Sequence, residues 1–149
     1  MKELKEMLKT ADIHADRINM ALAKLNKMLP FTKEKIIAIN EEELLLTDFL
    51  VHRFGKLQDL LGAKIIDQFL IELDEYAENL SMLDKIHKIE RLGIIEYSNL
   101  WKEMRLARNH AAHEYPGHPE LTVEYLHEVI RLAPKLIEIL NNIKNRLKF

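Results

Sequence analysis

The residues best suited to chemistry lie close together near position 110. Two arginines, an asparagine, two histidines and a tyrosine occur within eleven positions: Arg105, Arg108, Asn109, His110, His113 and Tyr115. The guanidinium group is a planar fork of donors that matches phosphate oxygens and stays charged at physiological pH. Imidazole accepts and releases protons near neutrality. This cluster is therefore typical of a site that binds an RNA phosphodiester, takes the proton of a 2′-hydroxyl and stabilises the charge on the phosphate oxygens.

These side chains do not share one face of a helix. The 3.6-residue repeat puts Asn109 and His113 on one side and the two arginines on another, with Arg108 and His113 about 140° apart. A long arginine side chain can still reach across where the helix unwinds ahead of Pro116. A two-fold dimer axis would bring both copies of the cluster into one cleft.

Structural interpretations of the same residues stay open. Cationic side chains near a helix C-terminus interact with the exposed carbonyl groups, by about 0.3–1 kcal/mol, which accounts for Arg108 and His113 without any function. Tyr115 before a proline is a common aromatic end to a helix. His110, His113 and His118 allow a metal site, although no carboxylate ligand accompanies them in order.

Two further groups of residues have two interpretations each. The basic segment of His52, Arg53 and Lys56 either adds positive charge to an RNA path or forms a solvated helix face. Trp101 and Met104, at helical spacing, favour a place in the core over a platform for base stacking.

The elements that position these residues are helices. Apolar side chains recur every three or four positions from Leu4 to Leu29, and Pro30 ends this first helix. Thr32 is the predicted cap of a short helix near 33–39. Asn40, with an acidic residue three positions later, begins a long helix near 41–78.

Gly55 and Gly62 lie inside that long helix. Each costs about 1 kcal/mol relative to alanine, which predicts the close approach of a neighbouring helix.

The second half of the chain contains three more helix signals. Ser81 and Asp84 resemble a capping box, and Gly93 ends the helix that follows them. Ser98 is the predicted cap of the helix that carries the cluster to position 115. The last helix covers about 120–147, with a kink expected at Pro134.

Together these signals predict an all-α, up-and-down bundle of four long helices plus short ones, in a single domain of residues 1–149. The chain has 24 acidic and 22 basic side chains, which excludes a protein that coats nucleic acid by bulk charge. The absence of cysteine excludes zinc ribbons and thiol nucleophiles. No apolar run approaches the roughly 18–20 residues of a bilayer span, and no export signal is evident, so we expect a cytoplasmic protein.

The spacing of three residues, Arg108, His113 and Tyr115, matches the motif R-x(4)-H-x-Y. With this motif the sequence resembles the HEPN superfamily, specifically its HepT branch of toxin ribonucleases. Three segments upstream resemble the family in the same order: HRFGKLQDLLGAKI, LDKIHKIERLGII, and the run from Trp101 to Asn109. The resemblance covers roughly residues 41–118, and the flanking helices are compatible with it by pattern.

This resemblance implies a metal-independent, homodimeric endoribonuclease that needs no cofactor and leaves a cyclic phosphate. It implies that Arg108 binds the phosphate, that His113 is the general acid or base, and that Asn109 assists. Arg105, His110 and Arg53 are further candidates for contacts with phosphate or RNA. The related toxins are paired with a small nucleotidyltransferase antitoxin, of the MNT type, that transfers AMP to the motif tyrosine, here Tyr115.

A different class of function is also open. The same arginine and histidine residues would let a non-catalytic subunit hold a phosphate group and present a nucleotide or substrate to a partner nucleotidyltransferase.

Overall fold

The structure, a computed structural model, describes residues 1–149 and is helical throughout, without a strand. The all-α prediction is confirmed. The α-helices are α1 (Lys2–Leu25), α2 (Lys33–Ile37), α3 (Glu41–Leu60), α4 (Ile66–Glu72), α5 (Met82–Arg91), α6 (Asn99–Ala111) and α7 (Pro119–Leu147). A π turn of residues Leu61–Ile65 joins α3 and α4 into one continuous helix. The chain thus has four long helices and two short ones.

Three helix starts that were predicted from capping residues are confirmed. The Thr32 side chain accepts a hydrogen bond from the Lys35 backbone N–H at 3.2 Å. Asn40 at the start of α3, and Ser81 at the start of α5, each form a full capping box with the acidic residue three positions later. These local bonds satisfy amide donors that the first helical turn leaves without partners.

Two helices end earlier than the periodicity predicts. The long helix ends at Glu72 and not near 78, because Asp74 takes a left-handed conformation with a φ of 56°. The Glu75 N–H then donates to the Leu70 carbonyl at 2.8 Å and closes the helix end. Helix α1 ends at Leu25, and a 3₁₀ turn follows it.

Helix α6 begins directly after Ser98, as predicted, but the Ser98 side chain does not cap it. The Ser98 backbone is already helical, with a φ of −57°, and its side chain makes no capping bond. A capping side chain needs an extended backbone to reach the amides of the first turn. The Ser98 N–H instead donates to the Glu90 carboxylate at 2.8 Å. Helix α6 also ends at Ala111, four residues before the predicted end.

The core is one cluster of buried apolar side chains drawn from all the long helices. Helix α1 packs along α3, and α6 packs on α7. Helix α7 also contacts α1 and α3, and it continues as a helix through Pro134. None of the helices combines the length and the apolar character that a membrane crossing requires.

The two glycines of the long helix face α6, as predicted. A Cβ atom at Gly62 would lie 3.0 Å from Cζ2 of Trp101. A Cβ atom at Gly55 would lie 3.4 Å from Nε of Arg108. The missing side chains let α3 and α6 approach closely, and this approach sets the position of Arg108.

Candidate functional site

Arg108 lies in the middle of a groove between α3 and α6. We call this depression the α3/α6 groove. One half encloses about 480 Å³ and is lined by the α3 segment from Asp48 to Asp59 together with residues near the end of α6. The other half encloses about 410 Å³ and is lined by Gly62, Trp101 and their neighbours. Arg108 and Asp59 line both halves.

The guanidinium group of Arg108 is held by a carboxylate on the opposite wall. Its Nη1 and Nη2 donate to the two carboxylate oxygens of Asp59 at 2.7 and 2.8 Å. The pair is open to water, since the side chains are 38% and 52% exposed. A carboxylate offers the same two-oxygen edge as a phosphate, so Asp59 occupies the place where an anionic ligand would bind.

Sequence reasoning did not identify Asp59. Gly55, Asp59 and Gly62 occur at intervals of four and three residues, which puts all of them on one face of α3. The two glycines on the same face were the signal from which this carboxylate could have been found.

His113 lies two residues beyond the end of α6, where the helix has unwound ahead of Pro116 as predicted. Its exposed side chain lines a smaller cavity of about 100 Å³, which it shares with Tyr115 and Tyr125. Four residues line both this cavity and the first half of the α3/α6 groove: Asp48, Val51, Ala111 and Glu114. Arg108 and His113 therefore open onto neighbouring cavities with a common wall.

His110 and Tyr115 belong to an aromatic cluster on the α7 side of the site. The Tyr115 hydroxyl donates to the His110 backbone carbonyl at 2.7 Å. The ring of Tyr125 lies 4.4 Å from that of His110 and 5.1 Å from that of Tyr115, centroid to centroid. Burial, and then the nearby Tyr125, raise the pKa of the Tyr115 hydroxyl above its ordinary value. The His110 ring therefore faces α7 and does not line the groove.

Arg105 and Asn109 line the half of the groove beside Trp101. Both also border a largely apolar cavity of about 280 Å³ between α5 and α6. Leu83 and Leu106 line that cavity and are 60% and 46% exposed. Polar and apolar side chains thus alternate on a surface directly beside the candidate phosphate-binding arginine.

Of the three basic residues predicted on α3, two reach the groove. His52 and Lys56 line the half that contains Arg108. Arg53 instead points towards α1, where its Nη1 lies 3.0 Å from Nδ1 of His14.

Other predictions concerned the core and the histidines. Trp101 is 5% exposed and Met104 is fully buried, which confirms the core interpretation for both. His118 lies 3.2 Å from the Glu120 carboxylate. Nowhere in the chain do three or more His, Asp or Glu side chains form a group able to hold a metal ion.

The assembled site contains a guanidinium group paired with Asp59, basic and acidic side chains in one groove, and an exposed imidazole in the neighbouring cavity. Such an arrangement can bind a phosphate diester and exchange a proton with a group beside it. Comparisons of the chain with protein-family models, with curated proteins and with solved structures give no match.

Proposed function

We propose that this protein is a HEPN-type endoribonuclease, the toxin of a toxin–antitoxin pair, which cuts RNA without a metal ion. The observation that carries the proposal is the orientation of Arg108: its guanidinium group lies half exposed in the α3/α6 groove, beside the cavity onto which His113 opens. The resemblance of the Arg108, His113 and Tyr115 motif to that superfamily supports the same assignment.

In the proposed reaction, Arg108 donates two hydrogen bonds to the non-bridging oxygens of one phosphate. The 2′-oxygen of the adjoining ribose attacks phosphorus, its proton passes to a histidine, and the 5′-oxygen leaves with a proton from an acid. The products are a 2′,3′-cyclic phosphate and a 5′-hydroxyl. His113 performs one of the two proton transfers, and Asn109 assists in orienting the phosphate.

A homodimer supplies the second proton-transfer group from the other copy of His113. The exposed leucines beside Arg105 and Asn109, Leu83 and Leu106, support this assembly because an apolar surface next to a site is typical of an interface. The Leu106→Glu variant is then expected to be monomeric by light scattering and inactive on RNA. A Leu106→Glu variant that stays dimeric and active would contradict this use of the surface.

RNA must displace Asp59 from Arg108 in order to bind. The exchange is favourable in principle, because the ion pair is exposed and such pairs contribute only about 0–1 kcal/mol. The Asp59 side chain is hydrated once it leaves.

The antitoxin partner in this proposal is a nucleotidyltransferase that modifies Tyr115. The phenolic oxygen attacks the α-phosphorus of ATP, pyrophosphate leaves, and the phenolic proton passes to a base. Since the Tyr115 hydroxyl is bonded to a carbonyl and its pKa is raised, the transferase has to supply that base. The attached AMP would place a negative phosphate beside His113 and repel RNA.

The decisive experiment is to incubate the metal-chelated protein with a mixed RNA pool and to analyse the fragment ends. Cyclic phosphate ends are expected from the wild type and from a His87→Ala control, whose exposed histidine lies in α5. The His113→Ala variant should give none. Cleavage by His113→Ala would overturn the assignment.

A second candidate is the non-catalytic subunit of a nucleotidyltransferase complex. The observation that favours it is that both terminal nitrogens of Arg108 are already bonded to Asp59. A wild-type chain of unmodified mass that cuts no RNA, yet copurifies with a nucleotidyltransferase, would support this alternative. An inactive chain whose mass includes an AMP group would instead support the toxin.

A further inference from the structure

Arg53 is an arginine without an acidic partner. Its Nη1 faces Nδ1 of His14 at 3.0 Å, and its guanidinium group lies 5.4 Å from the ring centroid of Phe49. Because arginine only donates, His14 must accept through Nδ1 and is therefore neutral in this contact. The Nε atom of Arg53 is buried and has no hydrogen-bond partner. A buried donor left in this way is costly and calls for an explanation.

Several basic groups act on this contact, which the ring of Phe49 also borders. Burial lowers the pKa of His14, and the positive charges of Arg53, Lys56, His52 and Arg17 lower it further. We call the set of His14, Arg17, His52, Arg53 and Lys56 the α1/α3 basic cluster. No carboxylate lies within 4.0 Å of any nitrogen of these five side chains. Of the 22 lysines and arginines of the chain, six have such a partner: Lys85, Lys88, Arg108, Arg131, Lys135 and Lys144.

This concentration of charge is unusual for a chain whose formal net charge is −2. Side chains of like charge repel each other, so a cluster without counter-charges destabilises the fold unless an anion binds to it. An anion at the cluster would also give further acceptors to the terminal guanidinium nitrogens of Arg53.

The cluster is continuous with the α3/α6 groove. His52 and Lys56 belong to the cluster and also line the half of the groove that contains Arg108. Arg53, one residue further along α3, points to the α1 side. Basic side chains thus extend from Arg108 across α3 to Arg17. The shared half of the groove also contains the carboxylates of Asp48, Asp59 and Glu114.

We propose that the α1/α3 basic cluster is a second phosphate-binding site, which holds the backbone of an RNA strand next to the phosphate at Arg108. The identity of the polyanion as RNA rests on the proposed function. A strand that crosses α3 meets two cationic sites in succession, and its repeating phosphates match them. The cluster binds without reading the sequence, because contacts with phosphate carry no base information.

The test measures the binding of a fluorescent 2′-O-methyl oligoribonucleotide, which lacks the attacking hydroxyl and stays intact. We expect Arg17→Gln and Arg53→Gln each to weaken binding about five-fold at low salt, and to reduce the slope of log affinity against log salt by about 0.7. Arg17 is exposed, so its variant should keep the wild-type fold. Arg91→Gln in α5 is the matched control, since Arg91 is exposed and takes part in no side-chain hydrogen bond or ion pair.

Affinities of Arg17→Gln and Arg53→Gln equal to that of Arg91→Gln would overturn the proposal. Competition with poly-glutamate provides a second measurement. If poly-glutamate displaces the oligonucleotide as well as unlabelled RNA does at equal charge, the cluster is a site for acidic protein segments and the assignment to phosphate is overturned.

A cleavage assay separates this proposal from the proposed function. With a dinucleotide, which is too short to reach the cluster, Arg17→Gln should cut at the wild-type rate. With a long RNA, its KM should rise about five-fold while kcat stays the same. A wild type that cuts neither substrate would contradict the proposed ribonuclease activity. The binding measurement would still show whether the cluster binds RNA.

Discussion

Two glycines of the long helix meet two side chains of α6, and the two contacts have the same spacing. Gly55 contacts Arg108, and seven residues later Gly62 contacts Trp101, which is seven residues earlier in α6. The helices therefore run antiparallel across this contact. At Gly62 the indole is 5% exposed and belongs to the core. At Gly55 the Arg108 side chain is 38% exposed and belongs to the groove.

The difference shows that the same feature, a glycine opposite a large side chain of α6, serves two purposes. At Gly62 the absent side chain lets a large aromatic ring fill the space between the helices and bury its surface. At Gly55 the same absence lets an arginine stem lie along α3, so that its charged end is held above the groove. Stability depends on the first contact, and the proposed activity depends on the second.

The largest expected effect is the loss of activity in Arg108→Ala. Removing the donors that bind the phosphate should reduce RNA cleavage by about 10³-fold. Stability should change by less than about 1 kcal/mol, because the lost ion pair is exposed. Urea unfolding and cleavage assays on the same preparation, with Arg91→Ala as the control, measure both quantities. Cleavage at the control's rate would show that the Gly55 contact has no part in activity.

The next effect is the destabilisation of Gly62→Ala. The new methyl group would lie 3.0 Å from the rigid, buried ring of Trp101, and overpacking of this kind costs about 1–3 kcal/mol. The urea midpoint should therefore fall. In the background of Trp101→Phe, whose smaller ring leaves room, the same change should cost less. An equal loss of stability in both backgrounds would show that contact with the indole ring is not what destabilises Gly62→Ala.

Gly55→Ala should have the opposite effect on stability. The methyl group meets the flexible side chain of Arg108 at 3.4 Å, which can shift, while alanine favours the helix by up to about 1 kcal/mol. The shift would move the guanidinium group, and we expect cleavage to fall about ten-fold. A variant that is more stable and fully active would show that the close approach at Gly55 is not needed for positioning.

The smallest effect is expected from Asp59→Asn. Stability should fall by about 0–1 kcal/mol, because the pair with Arg108 is exposed. Without the competing carboxylate, the intact 2′-O-methyl oligonucleotide should bind about two- to five-fold more tightly. Weaker binding would mean that Asp59 positions Arg108 more than it competes with the phosphate.

Local chemistry made much of the fold predictable. Capping residues such as Asn40 and Ser81 act on amides three positions away, so their effect can be read from a short segment. Gly55 and Gly62 showed where a helix had to approach, although not which side chains it would bring. The end of the long helix was missed because Asp74 takes a left-handed conformation that its residue type permits but does not require.

The partners in the site lie beyond local chemistry. Asp59 and Arg108 are 49 residues apart in the chain, and His14 and Arg53 are 39 apart. No helical repeat links such positions, since their contact depends on how whole helices pack. Sequence reasoning identified one member of each pair by its charge. Only the fold determines that Arg108 meets an acid and that Arg53 meets a neutral histidine.

The π turn of Leu61–Ile65 has a consequence for changes in chain length. A π turn contains one residue more than the α-helical turn that it replaces. Deleting one residue within it would restore an ordinary α-helical turn and leave the helix beyond it at nearly the same rotation about its axis. The groove residues before it, up to Asp59, would keep their places. Ile66 and Phe69 beyond it would then stay in the core, whereas deleting a residue of α3 itself would rotate them by about 100° towards water. The chain should therefore tolerate a deletion in the π turn better than one in α3.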